Sequence, residues 1–315
     1  MAVAAAPRRT EGHKRRGSMT LHTALLQGTR LLEDDGVAVP RLTAEVLLAF
    51  ALGRDRSYPF AHGEQELTEM EWLHYGRYLH QRLQGMPTQY ITQRQEFYGR
   101  EFRVTPDVLI PRPETEHVVE VALQHLGWQA KAPAPPACTP FDAKVGQTLS
   151  SVNILDIGTG SGALAVTLAL ETGAETWATE ISAAAASVAA RNALTLGAHV
   201  HIVVGDVAEA IAAGSVSLIV SNPPYVPLAQ RDGLQREVRD FEPHTALFAG
   251  PSGLEIYGRI VADAPRVLRP GGWLVMELGF GCETGVREML EGWQEIEVTP
   301  DLAGIPRVIA ARAAG

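Results

Sequence analysis

From residue 151 onward the chain alternates short, near-continuous Val/Ile/Leu runs with longer helical stretches, and this most narrowly limits its fold. The runs are "VNILDIG", "TWATEI", "VHIVVGD", "VSLIVSN" and "GWLVMELG". A strand that is apolar on both faces has to be covered on both, which calls for a parallel sheet between two helix layers. The covering helices are expected in "ALAVTLALE", in "AAAASVAARNALTLG" with its stop at Gly197, and between Gly253 and Leu268. The tail "WQEIEVTPDLAGIPRVIAARA" adds two strands that can pair antiparallel. The fold class is therefore α/β, with a Rossmann-like, mostly parallel sheet.

Ahead of this region the pattern differs. Leu21, Ala24, Leu25, Leu31 and Leu32 recur at helical spacing, as do Ala44, Val46, Leu47, Leu48 and Leu52. Thr43 is a candidate helix start, and Thr68 with Glu71 forms a candidate capping box. Residues 19–89 read as a small helical domain. Residues 90–110 read as a hairpin linker turning at Gly99 and Arg100. Residues 111–315 read as the α/β domain, opened by the proline-led acidic helix start "PRPETEHVVEVALQHL". Within it, the Pro/Ala-rich stretch 131–150 is expected to be a surface loop or linker.

Charge narrows the function. The chain has 27 Lys+Arg against 36 Asp+Glu, a net charge of −9, which disfavours a protein that mainly grips polyphosphate. Basic residues crowd only the first 18 positions, which read as a disordered tail or as a start assigned ahead of Met19. Two separated cysteines, Cys138 and Cys282, form no metal or disulfide pattern and fit a reducing cytoplasm. No metal site is expected, and no apolar run is long enough to span a membrane.

The ligand edge of the sheet can be located. Ligands of open α/β sheets bind at the carboxyl ends of the strands. There "LDIGTGSGALA" places Asp156 at the end of a strand and Gly158, Gly160 and Gly162 in the turn to the next helix. Glu180 closes the second strand and Asp206 follows the third. An acid ending the second strand can accept both hydroxyls of a ribose. The glycine spacing is not that of a dinucleotide fingerprint, and no Lys or Arg adjoins it to meet phosphate. Three acids suit a cationic nucleoside, S-adenosylmethionine, better.

The fourth strand ends in "SNPPY". The side-chain oxygen of Asn222 and the carbonyl of Pro223 can both accept from one NH2 group. Pro223 and Pro224 stiffen the corner and bring no competing N–H. Tyr225 offers a flat face to a planar amide or base. Such a corner can aim a delocalised nitrogen by position and electrostatics, without a strong base.

"DIGTGSG" with "SNPPY" resembles the class I S-adenosylmethionine-dependent methyltransferases that act on planar NH2 groups. Over about residues 20–315, the chain resembles the release-factor glutamine methyltransferase family (protein-(glutamine-N5) methyltransferases). The stretches "RLQGMPTQYI", "EFYGREFRVTPDVLIPRPETE", "EVRDFEPHTALFAGPSGLEIY", "VLRPGGWLVMELG" and "DLAGIPRVIAAR" carry the likeness. The resemblance implies a helical substrate-recognition domain, a hairpin and a seven-stranded class I methyltransferase domain. The implied partner is a class I peptide chain release factor, methylated on the glutamine of its Gly-Gly-Gln motif. It implies no membrane partner and no strong nucleic-acid binding. By position, Gly158, Thr159, Gly160, Ser161 and Gly162 would line the methionine part of the cofactor and Glu180 the ribose. Asp206 and Val207 would lie by the adenine. Asn222, Pro223, Pro224 and Tyr225 would hold the substrate, with Asn222 beside the methyl group. Glu180 and Val207 depart from residues common in the family, Asp and an aromatic.

Other segments are open. Arg112–Glu116 can serve the pocket mouth or cap a helix, and Glu242–His244 can bond backbone or substrate. The main alternative activity is a DNA or RNA adenine-N6 methyltransferase, since adenine also presents a planar NH2. A nicotinamide oxidoreductase and an RNA-binding module built on the basic tail are the other rivals.

Overall fold

The computed structural model describes residues 19–127 and 153–314. The basic tail 1–18 and the 131–150 stretch lie outside them. The chain divides into two compact units between Thr92 and Gln93.

The first unit is helical: α1 (Leu21–Asp34), α2 (Pro40–Leu52), α3 (Tyr58–Ala61), α4 (Glu69–Leu83) and α5 (Thr88–Thr92). Leu21, Leu25 and Leu32 of α1 meet Leu47 and Leu48 of α2 and Tyr75 and Leu79 of α4 in one core. The capping box at Thr68 and Glu71 is present: each satisfies a free backbone N–H of the other. Two local expectations fail. The second helix starts at Pro40, not Thr43, because proline needs no N–H donor at a first turn and its fixed φ suits the helix. Residues 90–92, read as the start of the hairpin linker, instead close helix α5, since the Tyr90 and Ile91 N–H groups both bond the Pro87 carbonyl.

The second unit opens with a hairpin, β1 (Arg94–Phe97) and β2 (Arg100–Arg103). Its two-residue turn is Tyr98–Gly99, one residue before the expected Gly99–Arg100, because Arg100 already pairs with Phe97; φ of 50° and 69° is the doubly positive pair of a type I′ turn. Then come α6 (Glu116–His125), β3 (Asn153–Ile157), α7 (Ala163–Thr172), β4 (Glu175–Glu180), α8 (Ala183–Leu196), β5 (Val200–Val204) and β6 (Val216–Ser221). A small excursion follows: β7 (Val226–Pro227), α9 (Arg236–Phe241), α10 (His244–Leu247) and β8 (Phe248–Gly250). The chain closes with α11 (Glu255–Val267), β9 (Leu268–Glu277), α12 (Glu283–Met289), β10 (Gln294–Pro300) and β11 (Pro306–Arg312).

Seven strands form one sheet in the order β10-β11-β9-β6-β3-β4-β5. The five from β5 to β9 are parallel, and β11 and β10 add antiparallel. Strand side chains alternate between faces, and the two cores sort accordingly. Ile154, Leu218, Val220, Val275 and Val308 face α6, α7 and the hairpin phenylalanines Phe97 and Phe102. Leu155, Ile219, Leu274, Met276 and Ile309 face α11 and α12. The strand order reverses between β3 and β6, and this is where the ligand edge opens.

Candidate active site

A cavity of about 320 Å³ lies at the carboxyl ends of β3, β4, β5 and β6. Its floor is the glycine turn after β3. Gly158, Gly160 and Gly162 have φ of 73°, 55° and 84°, a left-handed series that residues with a Cβ adopt only at a cost. The N–H groups of Gly158 and Thr159 bond the Thr179 carbonyl, tying the turn to β4. Asn192 on α8 ties it to the hairpin: its Nδ2 donates to the carbonyls of Ser161 (2.8 Å) and Arg103 (2.9 Å).

Three acids reach this edge, as their sequence positions require. Asp156 Oδ2 accepts from the Thr159 hydroxyl (2.6 Å) and from the Ala165 N–H (3.1 Å). Asp156 Oδ1 is buried with no hydrogen-bond partner among the described residues. Burial raises this carboxyl to about 7 against the pull of the Thr159 and Ala165 bonds, and the Glu180 charge adds to the rise. Glu180 accepts from Gly160 N–H and Ser182 N–H, both at 2.9 Å, so two loop amides hold its carboxylate. Asp206 pairs with Arg259 of α11 at 2.6 Å, and both line the cavity. Arg259 is thus a cation in the wall that the local glycine pattern did not reveal. Val207 beside it has φ of 47°, a strained conformation for a β-branched residue.

The corner after β6 completes the cavity. Asp156 pairs with Val220 across β3 and β6, so both chains emerge side by side. The Ser221 hydroxyl then bonds the Ile157 carbonyl at 2.7 Å, fixing the two strand ends just before Asn222 and Gly158. Asn222, Pro223 and Pro224 line the cavity. Asn222 Nδ2 donates to the Thr115 hydroxyl (3.0 Å), and that hydroxyl donates to Glu277 Oε2 (2.5 Å). The Tyr225 hydroxyl reaches Glu277 Oε1 at 3.5 Å.

The structure gathers nearly all the expected residues in one wall: Asp156, Gly158, Thr159, Gly160, Ser161, Glu180, Asp206, Val207, Asn222, Pro223 and Pro224. Gly162 and Tyr225 are placed behind it. Gly162 begins α7, where a Cβ would press on Ala189. The Tyr225 ring lies against the Gly279 backbone, where a Cβ would come within 2.5 Å of it. Other contributors come from the two segments the sequence left open, Arg112–Glu116 and Glu242–His244, and from residues it did not single out. Asp107, Val108, Leu109, Pro111 and Thr115 form a wall of the cavity, and Glu242 holds that segment by accepting from Arg112 (2.5 Å) and from the Ile110 N–H (3.3 Å). The "PETE" stretch is thus a 3-10 turn running into α6, with Thr115 turned to the site. Glu277 is buried at the end of β9, and desolvation raises it to about 7, opposed by the Thr115 bond and the Arg307 charge. His244 opens α10 with Nε2 3.1 Å from the Arg239 carbonyl, away from any reacting role. Cys282 caps α12, and burial pushes its thiol up.

Comparison with known proteins agrees with this architecture. The family described as "PrmC N-terminal domain" matches residues 23–92, and that described as "Methyltransferase small domain" matches residues 143–237. A protein of Koribacter versatilis named release factor glutamine methyltransferase is 42% identical, over 93% of this chain and 99% of its own. One of the same name from Bacillus subtilis is 38% identical, over 85% and 90%. Among solved structures, the catalytic domain of hMettl16 in complex with a 3'UTR hairpin aligns with a TM-score of 0.53. It is 15% identical and covers 85% of this chain and 93% of its own, a likeness of fold alone. No helix among the described residues is long and apolar enough to cross a membrane. With relatives this similar along nearly its whole length, the chain belongs to the release factor glutamine methyltransferase family.

Proposed function

We propose that this enzyme methylates the side-chain amide nitrogen of the glutamine in the Gly-Gly-Gln motif of class I peptide chain release factors, in the cytoplasm, with S-adenosylmethionine as donor. The donor set supports that cofactor. Asp156 Oδ1 is a buried, unpartnered oxygen in the cavity wall, and Glu180 is a carboxylate already oriented by two amides. An anionic, glycine-floored cavity suits a cationic nucleoside. When bound, S-adenosylmethionine supplies a methyl carbon made electrophilic by its sulfonium. Asp156 and the turn 158–161 would hold its amino-acid part, Glu180 its ribose, and Asp206 and Val207 its base.

The observation that carries the substrate reading is the state of the Asn222 amide. Its Nδ2 is committed to Thr115, and among the described residues nothing donates to its Oδ1. The next two residues are prolines, which bring carbonyls and no N–H. The corner therefore presents acceptors only, and an incoming NH2 group is the matching donor. Two fixed acceptors hold both hydrogens of that group and set the direction of its nitrogen lone pair. This is pre-organised electrostatics, strongest in a site closed to water. Tyr225 and Pro224 stiffen the corner from behind. The helical first unit, matched to the "PrmC N-terminal domain" family, serves in this reading to recognise the protein substrate.

The test is labelling. Purified enzyme with a methyl-labelled donor should label a class I release factor, and replacing the glutamine of its Gly-Gly-Gln motif should abolish the label. Labelling of duplex DNA or RNA adenines, with release factor left untouched, would overturn the reading.

A further inference from the structure

Asn222 carries an amide whose two ends differ by one hydrogen-bonding sense, and the corner works only one way round. If Oδ1 faced inward and Nδ2 faced the cavity, the site would offer a donor to an incoming NH2 group. Something must fix the orientation, and the backbone does not. We infer that Thr115 and Glu277 are positioning residues that set the Asn222 amide with its oxygen toward the cavity. The inference rests on the reading of Asn222 as acceptor for the substrate amide.

The logic follows from proton counting. A threonine hydroxyl has one proton to give and lone pairs to receive. An ionised carboxylate, the form Glu277 takes above about pH 7, can only accept. Glu277 Oε2 lies 2.5 Å from Thr115 Oγ1, so that single proton points at Glu277. What remains on Thr115 toward Asn222 is a lone pair, 3.0 Å away, and only Nδ2 can meet it. Turning the amide over would set Oδ1 against that lone pair with no hydrogen between them. The carboxylate at the end of β9 thus dictates, through one hydroxyl, which atom the end of β6 presents. Glu277 is itself constrained. Its Oε1 faces the Tyr225 hydroxyl, its own backbone carbonyl accepts from the Tyr257 hydroxyl at 2.7 Å, and Arg307 and Glu114 are the charges around it. Thr115 is buried in a turn that carries no other part of the acceptor corner, and its one hydroxyl proton is already given to Glu277.

The test uses Thr115→Val, which keeps shape and removes the hydroxyl, beside Thr115→Ser, which keeps the hydroxyl. Thr115→Val should lower kcat about 10- to 100-fold, the usual loss when a transition-state hydrogen bond is misdirected. Affinity for S-adenosylmethionine by calorimetry should stay within about twofold, because the nucleoside-binding residues are untouched. Thr115→Ser should recover most of the activity. A second readout needs no turnover. In wild type one Asn222 side-chain amide proton, followed by 15N NMR, should exchange slowly, and in Thr115→Val both should exchange fast. Full activity in Thr115→Val while Asn222→Ala is dead would overturn the inference and leave the function intact. So would failure of Thr115→Ser to rescue, or a slow amide proton surviving in Thr115→Val. If instead Asn222→Ala methylates normally, the reading of Asn222 as acceptor falls while the methylation of release factor stands, and the exchange measurement still decides the relay.

Discussion

The side-chain amide of Asn192 donates to the Ser161 carbonyl at 2.8 Å and so fastens a helix on one side of the sheet to the glycine turn. The same nitrogen reaches the Arg103 carbonyl, and Asn192 Oδ1 accepts from the Arg103 N–H at 2.8 Å. One buried amide therefore holds the hairpin's second strand and the cavity floor in register. Asn192→Leu takes the partner from three backbone groups, the buried Ser161 carbonyl at about 1–3 kcal/mol and the part-buried N–H and carbonyl of Arg103 at less. The expected result is a clear fall in Tm together with a raised KM for the methyl donor. A Tm loss without any change in donor KM would show that Asn192 serves stability alone.

Asp156 makes donor binding depend on pH. Burial raises its carboxyl to about 7, so near neutrality it is partly protonated in the ligand-free protein. A cationic ligand in the same cavity favours the ionised form, so binding expels the proton. Affinity should therefore strengthen as pH rises toward 7 and level off above it, changing by at most about tenfold per pH unit below that value. Calorimetry between pH 5.5 and 8.5, in buffers of different ionisation heat, measures both the slope and the released proton. Asp156→Asn should bind weakly and without slope. A flat wild-type profile would rule out this role for the carboxylate.

What the sequence displayed, and what it hid, divides by the range of the interaction. Strands buried on both faces show themselves as unbroken apolar runs, so β3 to β6 and β9 were legible. The acids at their ends and the proline corner were legible because strand direction alone sends them to one edge. Thr68 and Glu71 are three residues apart, within one turn of helix. Glu277 and Thr115 are 162 residues apart, and no local pattern links them. Arg259 meets Asp206 only because α11 packs beneath the edge. The stretch 90–92 misled because Tyr90, Ile91 and Thr92 favour strands, while the turn at Pro87 sets them helical. Tyr225 looked like a platform because it follows two prolines, yet the close approach of Gly279 turns its ring into the wall.

Gly28 lies inside α1, where glycine costs about 1 kcal/mol relative to alanine. Gly28→Ala would ordinarily stabilise such a helix. Here an added Cβ would sit 2.8 Å from Cζ of Tyr75, a fully buried ring, and 3.3 Å from Leu79. Overpacking of this kind costs about 1–3 kcal/mol, which meets or exceeds the propensity gain. The variant should unfold at lower temperature or denaturant than wild type. A Gly28→Ala,Tyr75→Phe double variant, which relieves the nearest atom, should recover part of the loss. A stabilised single variant would show that α1 and α4 can move apart freely.

Glu277 links the orienting relay to stability. Its carboxyl is raised from 4.5 to about 7, chiefly because burial penalises the charge. Below pH 4.5 folded and unfolded chains are both protonated at this position, and the group costs nothing. Between 4.5 and 7 the unfolded chain ionises while the fold keeps the proton, so its contribution to stability falls as pH rises. Above 7 the loss is complete, on the order of 3 kcal/mol if no relaxation occurs. Glu277→Gln has no such window. Its Tm relative to wild type should therefore climb from pH 4.5 to 7 and then level off, although it removes the acceptor that directs the Thr115 proton. Above about pH 7, where the wild-type group is ionised, the same variant should lose turnover, because glutamine can donate as well as accept and leaves the Thr115 hydroxyl free to reverse. Greater stability above pH 7 combined with lower kcat would mark a charge kept for function at the expense of the fold. A Tm difference that stays constant across the range would mean the carboxylate titrates normally, and the burial argument would fail.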